Sequence, residues 1–375
     1  MQKNKIRVGL IGIGNCCSSL VQGVEYYQYS KADKIPGIMF SNIGGYYPSD
    51  IEFVVGFDID KRKVNKPLKE AIYAKPNCTT IFNSNVQCDC PVYNVPHLDG
   101  FPTHMNDWSE DEAFRLSDAE TVDVIKILKE IKPDILINYC PVGSQKATEF
   151  YVNAALEVGI PFLNCIPVFI ASDPKWEQKF IEKKLPIIGD DMRSQVGASI
   201  LSAVLQQLFI ERGHIIDAHI QQNSGGNTDF LNMTDQTRLK SKKISKTNVI
   251  SSQSELQGYI DRPNSIHAGP SEYVRFYKDN KVAHFHIEAK GFGNSPVVLD
   301  ARLSVIDSPN SAGVVIDAIR FLKVAHEMGM SGSIDGPSAY TQKTPKIQMK
   351  TSDAHYECEM LAKRELTELT KKNIR

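Results

Sequence analysis

Residues 6–17 read Ile-Arg-Val-Gly-Leu-Ile-Gly12-Ile-Gly14-Asn-Cys-Cys17. A short apolar run ends here in a glycine turn, and a helical pattern opens at Asn15 and runs to about Tyr26. Gly12 and Gly14 fit the first two glycines of a dinucleotide fingerprint, which permit a tight turn and let the backbone approach a pyrophosphate at a helix N-terminus. Cys17 takes the third, small-residue position. Ile13, Asn15 and Cys16 fill the turn and join Gly12 and Gly14 as cofactor-binding candidates. The next apolar strand, residues 51–57, closes on Asp58, where a carboxylate can accept from ribose hydroxyls and disfavours a 2′-phosphate. NAD is therefore expected rather than NADP. The turn and Asp58 stand further apart than usual, because residues 29–50 break the rhythm with Pro36, Gly37, Gly44, Gly45 and Pro48. A glycine turn alone serves equally to pack a helix on a strand. Strand, turn, helix and acid together select the cofactor reading.

Downstream, strand patterns at 134–139, 161–164 and 186–188 alternate with helical patterns near 118–131, 144–158 and 173–184. Alternation of this kind predicts an α/β fold, a Rossmann-like doubly wound parallel sheet with helices on both faces. Residues 76–108 read as irregular. Beyond Gly189 the pattern changes. Residues 194–212 form one long amphipathic helix, and 281–289 and 297–306 alternate as antiparallel strands. Ser308-Pro309-Asn310 then starts a helix with Val314, Ala318, Leu322 and Ala325 on one stripe. The expected organisation is an NAD-binding domain over 1–200, an inserted α+β catalytic and oligomerisation domain over 201–307, and a return to the first domain over 308–375. Asn138-Tyr-Cys-Pro141-Val-Gly143-Ser144 ends a strand on the sheet edge where ligands sit. This makes Pro141, Gly143 and Ser144 candidates for the nicotinamide side, although a plain strand-to-helix turn fits them equally.

The 375 residues carry 43 Lys+Arg against 44 Asp+Glu, so no overall basic field exists to hold nucleic acid or an anionic membrane. With 42% hydrophobic and 23% charged residues, a substantial core is expected and global disorder is excluded. The first residues show no apolar signal region, and the longest apolar runs are too short to span a bilayer. A cytoplasmic protein is expected. The eight cysteines read as buried reduced thiols; Cys88-Asp-Cys90 with Cys78 lacks the two-residue gap of a zinc knuckle.

Lys242 and Lys246 stand four apart and share one face of a helix. Like charges at that spacing repel, which is tolerable on a solvated face and useful if an anion lies between them. The surrounding words decide. Residues 14–27 (Gly-Asn-Cys-Cys-Ser-Ser-Leu-Val-Gln-Gly-Val-Glu-Tyr-Tyr), Gly189-Asp190-Asp191-Met-Arg-Ser194 and residues 223–232 come first. Ser241-Lys-Lys-Ile-Ser-Lys-Thr247, Asp307-Ser-Pro-Asn-Ser-Ala-Gly313 and Ser338-Ala-Tyr-Thr-Gln-Lys343 follow. In this order the chain closely resembles the inositol-3-phosphate synthase (myo-inositol-1-phosphate synthase) family in its shorter bacterial and archaeal form. The resemblance is weakest over 76–108 and after Lys350.

That resemblance implies an NAD-dependent isomerase converting glucose 6-phosphate to an inositol monophosphate. In the family, C5 is oxidised, C6 enolised, the ring closed by aldol attack on C1, and the ketone reduced by the same NADH. It implies four catalytic lysines, Lys242, Lys246, Lys281 and Lys343, with Asp190 and Asp307 orienting them and Asp191 on the cofactor side. Lys246 is assigned the C5 oxygen and Lys343 the C1 oxygen, with Lys242 and Lys281 on phosphate and enolisation. Ser194, Gln195, Val196 and Gly197 open a helix toward the substrate phosphate, and Asn223 and Asn227 would bind sugar hydroxyls. Larger members carry a different small-residue sequence at 194–197. The family is usually a homotetramer joined through the inserted domain, and some members use a divalent cation. His284 and His286, near Lys281 on an alternating strand, are the candidates for such an ion, although no third ligand is evident. A cyclase for another sugar phosphate, a plain dehydrogenase and a non-catalytic NAD-binding module remain as alternatives.

Overall fold

The computed structural model describes residues 5–29, 34–238 and 240–374. Apolar segments buried on both faces make the first sheet. Its strands are β1 (Ile6–Ile11), β2 (Ile51–Asp58), β3 (Val92–Asn94), β4 (Ile135–Asn138), β5 (Phe162–Asn164), β6 (Pro186–Ile188) and β11 (Gly332–Ser333), in the order β11-β6-β5-β4-β1-β2-β3. All of its pairings are parallel. The chain order reverses beside β1, between β4 and β2, which is where open α/β sheets form a ligand crevice at their carboxyl ends.

The two faces carry separate cores. On one, Ile6, Val8 and Leu10 pack with Leu20 and Val21 of the helix Asn15–Tyr26 and with Val315, Ile319 and Leu322 of the helix Asp307–Glu327. On the other, Phe57 and Leu136 pack with Tyr151 and Val152 of the helix Gln145–Val158. Each fully buried Ile, Leu or Phe contributes about 1.5–3 kcal/mol relative to exposure. The excursion before β2 is anchored by a buried pair, Arg320 on Asp317. Arg320 donates to the carbonyls of Phe40 at 2.7 Å and Ser41 at 3.1 Å, and Asp317 accepts from Met39 N at 3.1 Å.

A second sheet comes from β7 (Ile215–Gly225), β8 (Ile266–Tyr273), β9 (Asn280–Lys290) and β10 (Pro296–Ile306), in the order β10-β9-β7-β8. β9 and β10 run antiparallel over their full length, in keeping with the alternation at 281–289 and 297–306. β7 and β8 are parallel. One face of this sheet, with Phe285 and Ile287, is covered by the helix Ala198–Glu211; the other carries His284, His286, Asp300 and Arg302. The short strands β3 and β11 were not foreseen. The long helix expected from 194 begins only at Ala198, because Gln195 and Val196 form a turn whose N–H groups bond to Asn310, and Gly197, just before the helix, is extended. Among the described residues, no helix is long and apolar enough to cross a membrane.

Candidate active site

One cavity runs along the crevice at the ends of β1 and β4 and under the second sheet. At one end is the glycine turn. Gly12 has φ +83°, and a Cβ there would lie 2.7 Å from Tyr139 O, so no other residue fits without displacing the β4 turn. A Cβ on Gly14 would meet nothing within 4 Å. The first intrahelical bond of Asn15–Tyr26 is Ser18 N to Gly14 O at 2.9 Å, so the N–H groups of Asn15, Cys16 and Cys17 have no partner within the helix. Open space over Gly14 and a free helix N-terminus make a cradle that fits a dinucleotide pyrophosphate.

Asp58 braces this turn from β2. Its Oδ2 accepts from Ile13 N at 2.6 Å, and its Oδ1 from Ile59 N at 2.7 Å and Asp60 N at 2.8 Å. Lys63, which the sequence did not mark, is almost wholly buried in the same wall. It donates to Ile13 O at 2.7 Å and Asn77 Oδ1 at 2.9 Å. Asn15 ties the turn to the stretch after β2 and to the segment after β7, accepting from Cys78 N at 2.7 Å and donating to Thr228 Oγ1 at 3.1 Å.

Lys242, Lys246, Lys281 and Lys343 all line the cavity. The helix Lys240–Glu255 places Lys242 and Lys246 on one face, β9 supplies Lys281, and the segment after the helix Asp335–Thr341 supplies Lys343. Lys242 and Lys343 both reach Asp191 Oδ1, and Lys343 also donates to Met192 O at 2.8 Å. Ser245 Oγ donates to Asp191 Oδ2 at 2.6 Å and accepts from Thr344 Oγ1 at 3.0 Å. Lys281 pairs with Asp307 at 2.7 Å. Lys246 is 7% exposed and, among the described residues, its amine makes no hydrogen bond or ion pair.

These contacts split the four amines. Burial and the neighbouring Lys281, Lys242 and Lys343 push the Lys246 pKa well below the usual lysine range. Burial also lowers Lys343, to about 8, against the pull of Asp191. Burial works against Lys242 as well, but Asp191 and Asp229 outweigh it and hold that amine cationic. Asp191 and Asp307 stay ionised despite their burial, kept low by Lys242 with Lys343 and by Lys281 respectively. The site thus sets ion-paired amines, Lys242 and Lys281, beside an unpaired one, Lys246, in a single cavity.

Several expected residues stand elsewhere. Asp190 does not reach the lysines. Its carboxylate accepts from Asn164 Nδ2 at 2.7 Å, from the backbone N–H groups of Ile170, Ala171 and Ser172, and from Ser172 Oγ at 2.8 Å. Asp191, expected on the cofactor side, holds the lysines instead. Its φ of +61° is a conformation that non-glycine residues seldom adopt. Gly143 and Ser144 are screened by Arg238, which donates to Val142 O and Asp99 O at 3.0 Å and to Ser144 Oγ at 3.3 Å. Pro141 does line the cavity.

Of the four residues expected at the phosphate helix, Ser194 and Gly197 line the cavity together with Ala198, Ser199 and Ile200 of the helix's first turn. Gln195 and Val196 do not. The Gln195 amide side chain donates to Gly37 O and its N–H to Asn310 O, while Val196 is 60% exposed. Asn223 and Asn227 are in the cavity wall, but Asn227 caps the helix Thr228–Asn232 and donates to Asp279 Oδ1 at 3.0 Å. His284 and His286 fall on the sheet face opposite Lys281, as the two-residue pleat requires. The two ring nitrogens of His286 meet different carboxylates, Asp300 and Glu288. Among the described residues no three metal-ligating side chains gather into one site.

The profile of the myo-inositol-1-phosphate synthase family matches residues 197–308, the stretch that carries Lys242, Lys246, Lys281 and Asp307. The inositol-3-phosphate synthase of Mycolicibacterium smegmatis is 45% identical over 95% of this chain and 97% of that protein. The chain belongs to the inositol-3-phosphate synthase family. The synthase of Corynebacterium glutamicum is 44% identical over 93% of this chain and 96% of its own. A myo-inositol-1-phosphate synthase-related protein of Thermotoga maritima, at 22% identity, covers 97% of this chain and 100% of its own with a TM-score of 0.77, which places the family's fold here. Similarity to the bacterial synthases thus extends well beyond the profile match, over nearly the whole chain.

Proposed function

We propose that the protein is an NAD-dependent isomerase that cyclises glucose 6-phosphate to inositol 3-phosphate (myo-inositol 1-phosphate). One observation carries this reading. Four lysines from three separate stretches of the chain converge on the cavity that the glycine turn also lines. The family and the names of its bacterial members support the substrate and product.

When bound, NAD would take a hydride from the sugar and return it within the same turnover. Gly12, Ile13, Gly14, Asn15, Cys16, Asp58 and Pro141 would hold it, the turn by its backbone and Asp58 by bracing that backbone. The substrate phosphate would lie between the lysines and the free N–H groups of Ala198, Ser199 and Ile200. Lys242 and Lys281 are fixed cations, suited to stabilise oxygen atoms that gain charge during enolisation and aldol closure. Lys246 is the amine best able to be neutral and so to accept a proton beside C5 and C6. Lys343, poised near neutrality, would give a proton to the former aldehyde oxygen as the ring closes. Asp191 and Asp307 orient these amines.

We include in this reading the division into 1–200, 201–307 and 308–375, a homotetramer joined through the second sheet, and a cytoplasmic location. The test is to incubate purified protein with glucose 6-phosphate and catalytic NAD and follow products by phosphorus and carbon NMR. An inositol monophosphate with no accumulation of NADH is expected. Steady NADH formation would indicate a dehydrogenase, turnover of only another sugar phosphate a related cyclase, and NAD binding without turnover a carrier.

A further inference from the structure

A buried chain of polar side chains leads from the cavity wall between the second sheet and the helix Ala198–Glu211. Asn223 Nδ2 donates to Gly269 O at 2.6 Å, and Asn223 Oδ1 accepts from Gln221 Nε2 at 3.2 Å. Gln221 Oε1 lies 2.8 Å from Ser202 Oγ, which lies 3.2 Å from His219 Nε2. His219 Nδ1 lies 2.7 Å from Gln206 Oε1, and Gln206 Nε2 reaches Asp261 Oδ1 at 3.1 Å. Ser202, Gln206, His219, Gln221 and Asn223 are at most 1% exposed, and Gln221 and Asn223 line the cavity.

Both ends of this chain are acceptors, and that fixes every group between them. A backbone carbonyl at Gly269 turns the Asn223 NH2 toward itself and the Asn223 oxygen toward Gln221. Gln221 then shows its NH2 to Asn223 and its oxygen to Ser202. From the far end, the Asp261 carboxylate takes the Gln206 NH2, so Gln206 shows its oxygen to His219. Nδ1 must carry a proton. Neutral His219 is therefore an acceptor at Nε2, and Ser202 has one proton for two acceptors, Nε2 and Gln221 Oε1. Burial pushes the His219 pKa down to about 4, so the ring does not supply the second proton near neutrality. The interior is one donor short, and a buried acceptor left unpaired is costly.

We propose that His219 is a positioning residue for substrate: a substrate hydroxyl that donates to Gln221 Oε1 releases the Ser202 proton to His219 Nε2, completing the chain. The inference deepens the functional reading above and rests on the cavity taking a hydroxylated phosphate. Only the Ser202 hydroxyl hydrogen has to move. The arrangement rewards ligands bearing a hydroxyl at that point, because only a donor from outside relieves the shortage.

The test is the His219→Asn variant, whose NH2 keeps a donor facing Gln206 while its oxygen takes the place of ring Cδ2, leaving no acceptor at the Nε2 position that faces Ser202. Its KM for glucose 6-phosphate should rise about tenfold, the worth of one buried hydrogen bond, with kcat changed less than about twofold. NAD affinity, read by fluorescence titration, should not move. Adding Ser202→Ala removes the competing hydroxyl and should return KM to within about twofold of the parent, which a merely loosened core would not do. Calorimetric titration of glucose 6-phosphate into NAD-loaded protein should show the same pattern, whether or not product forms. A parent protein that binds the sugar phosphate without forming inositol phosphate would remove the functional reading and leave this test intact. Unchanged sugar-phosphate affinity in His219→Asn, no recovery in the double variant, or an equal loss of NAD affinity would each overturn the proposal. So would a parent protein that binds no glucose 6-phosphate.

Discussion

Lys343 and Lys242 point their ammonium groups at the same oxygen of Asp191, at 2.9 and 3.2 Å. One carboxylate oxygen cannot neutralise two buried cations. Lys242 keeps its charge with help from Asp229, and Lys343 is left with a pKa of about 8. The other oxygen is held by Ser245, so the carboxylate cannot turn to share itself more evenly.

Replacing that carboxylate should therefore disable turnover without harming the cofactor site. In Asp191→Asn the amide keeps the shape but removes the charge that fixes both lysines. Turnover of glucose 6-phosphate should fall on the order of a hundredfold or more, the usual cost of losing one preorganised electrostatic partner. NAD affinity by fluorescence titration should stay within about twofold. A variant retaining a tenth or more of parental activity would remove Asp191 from the reading.

The two glycines of the turn should behave oppositely. A Cβ at Gly12 meets Tyr139 O at 2.7 Å in a left-handed backbone, so Gly12→Ala should lower the melting temperature and the yield of folded protein. A Cβ at Gly14 meets no protein atom within 4 Å, so Gly14→Ala should fold normally. Its methyl would instead fill the space over the helix N-terminus, and NAD affinity should fall tenfold or more. Unaltered NAD affinity in Gly14→Ala would place the dinucleotide elsewhere.

The parallel sheet was legible because its strands are buried on both faces and read as short apolar runs between helical patterns. Strand β11 has only two residues, and β3, although as long as β5 and β6, lies inside the irregular stretch 76–108 with no helical pattern beside it to frame it. Lysine positions were legible through whole motif words, not through their charge. What the words could not give was direction. Asp190 and Asp191 are adjacent acids, and only the folded contacts, Asp191 with Lys242 and Lys343 and Asp190 with the backbone of residues 170–172, show which one faces the lysines. Gly143 and Ser144 stand outside the cavity wall for a related reason, since the guanidinium that covers them comes from Arg238, far along the chain. His219 and Lys63 carried no signal, because a lone His in a strand or a lone Lys after an acidic turn is common.

Asp190 should prove structural. Five donors converge on its carboxylate, three of them backbone N–H groups of residues 170–172. Asp190→Ala would leave buried donors unpaired and should cost on the order of 3 kcal/mol or more in chemical denaturation. Protein that does fold should bind NAD with near-parental affinity. A stability equal to the parent with activity abolished would return Asp190 to the catalytic set.

Lys343 should make stability depend on alkaline pH in a direction opposite to an ordinary ion-paired lysine. Its folded pKa of about 8 lies below the 10.5 of the exposed side chain. Between those values the unfolded chain binds more protons than the folded one, so stability rises with pH across that window. Below about pH 8 the buried charge costs its full penalty, and above about 10.5 that penalty is gone. Denaturation of the parent and of Lys343→Met, compared from pH 7 upward, should show the parent gaining on the order of 3 kcal/mol relative to the variant. Parental turnover should decline above about pH 8 in parallel, as the protonated amine that donates at ring closure is lost. A difference between the two proteins that stays flat from pH 8 to 10 would show that the amine is not depressed, and its role as a proton donor would fall with it.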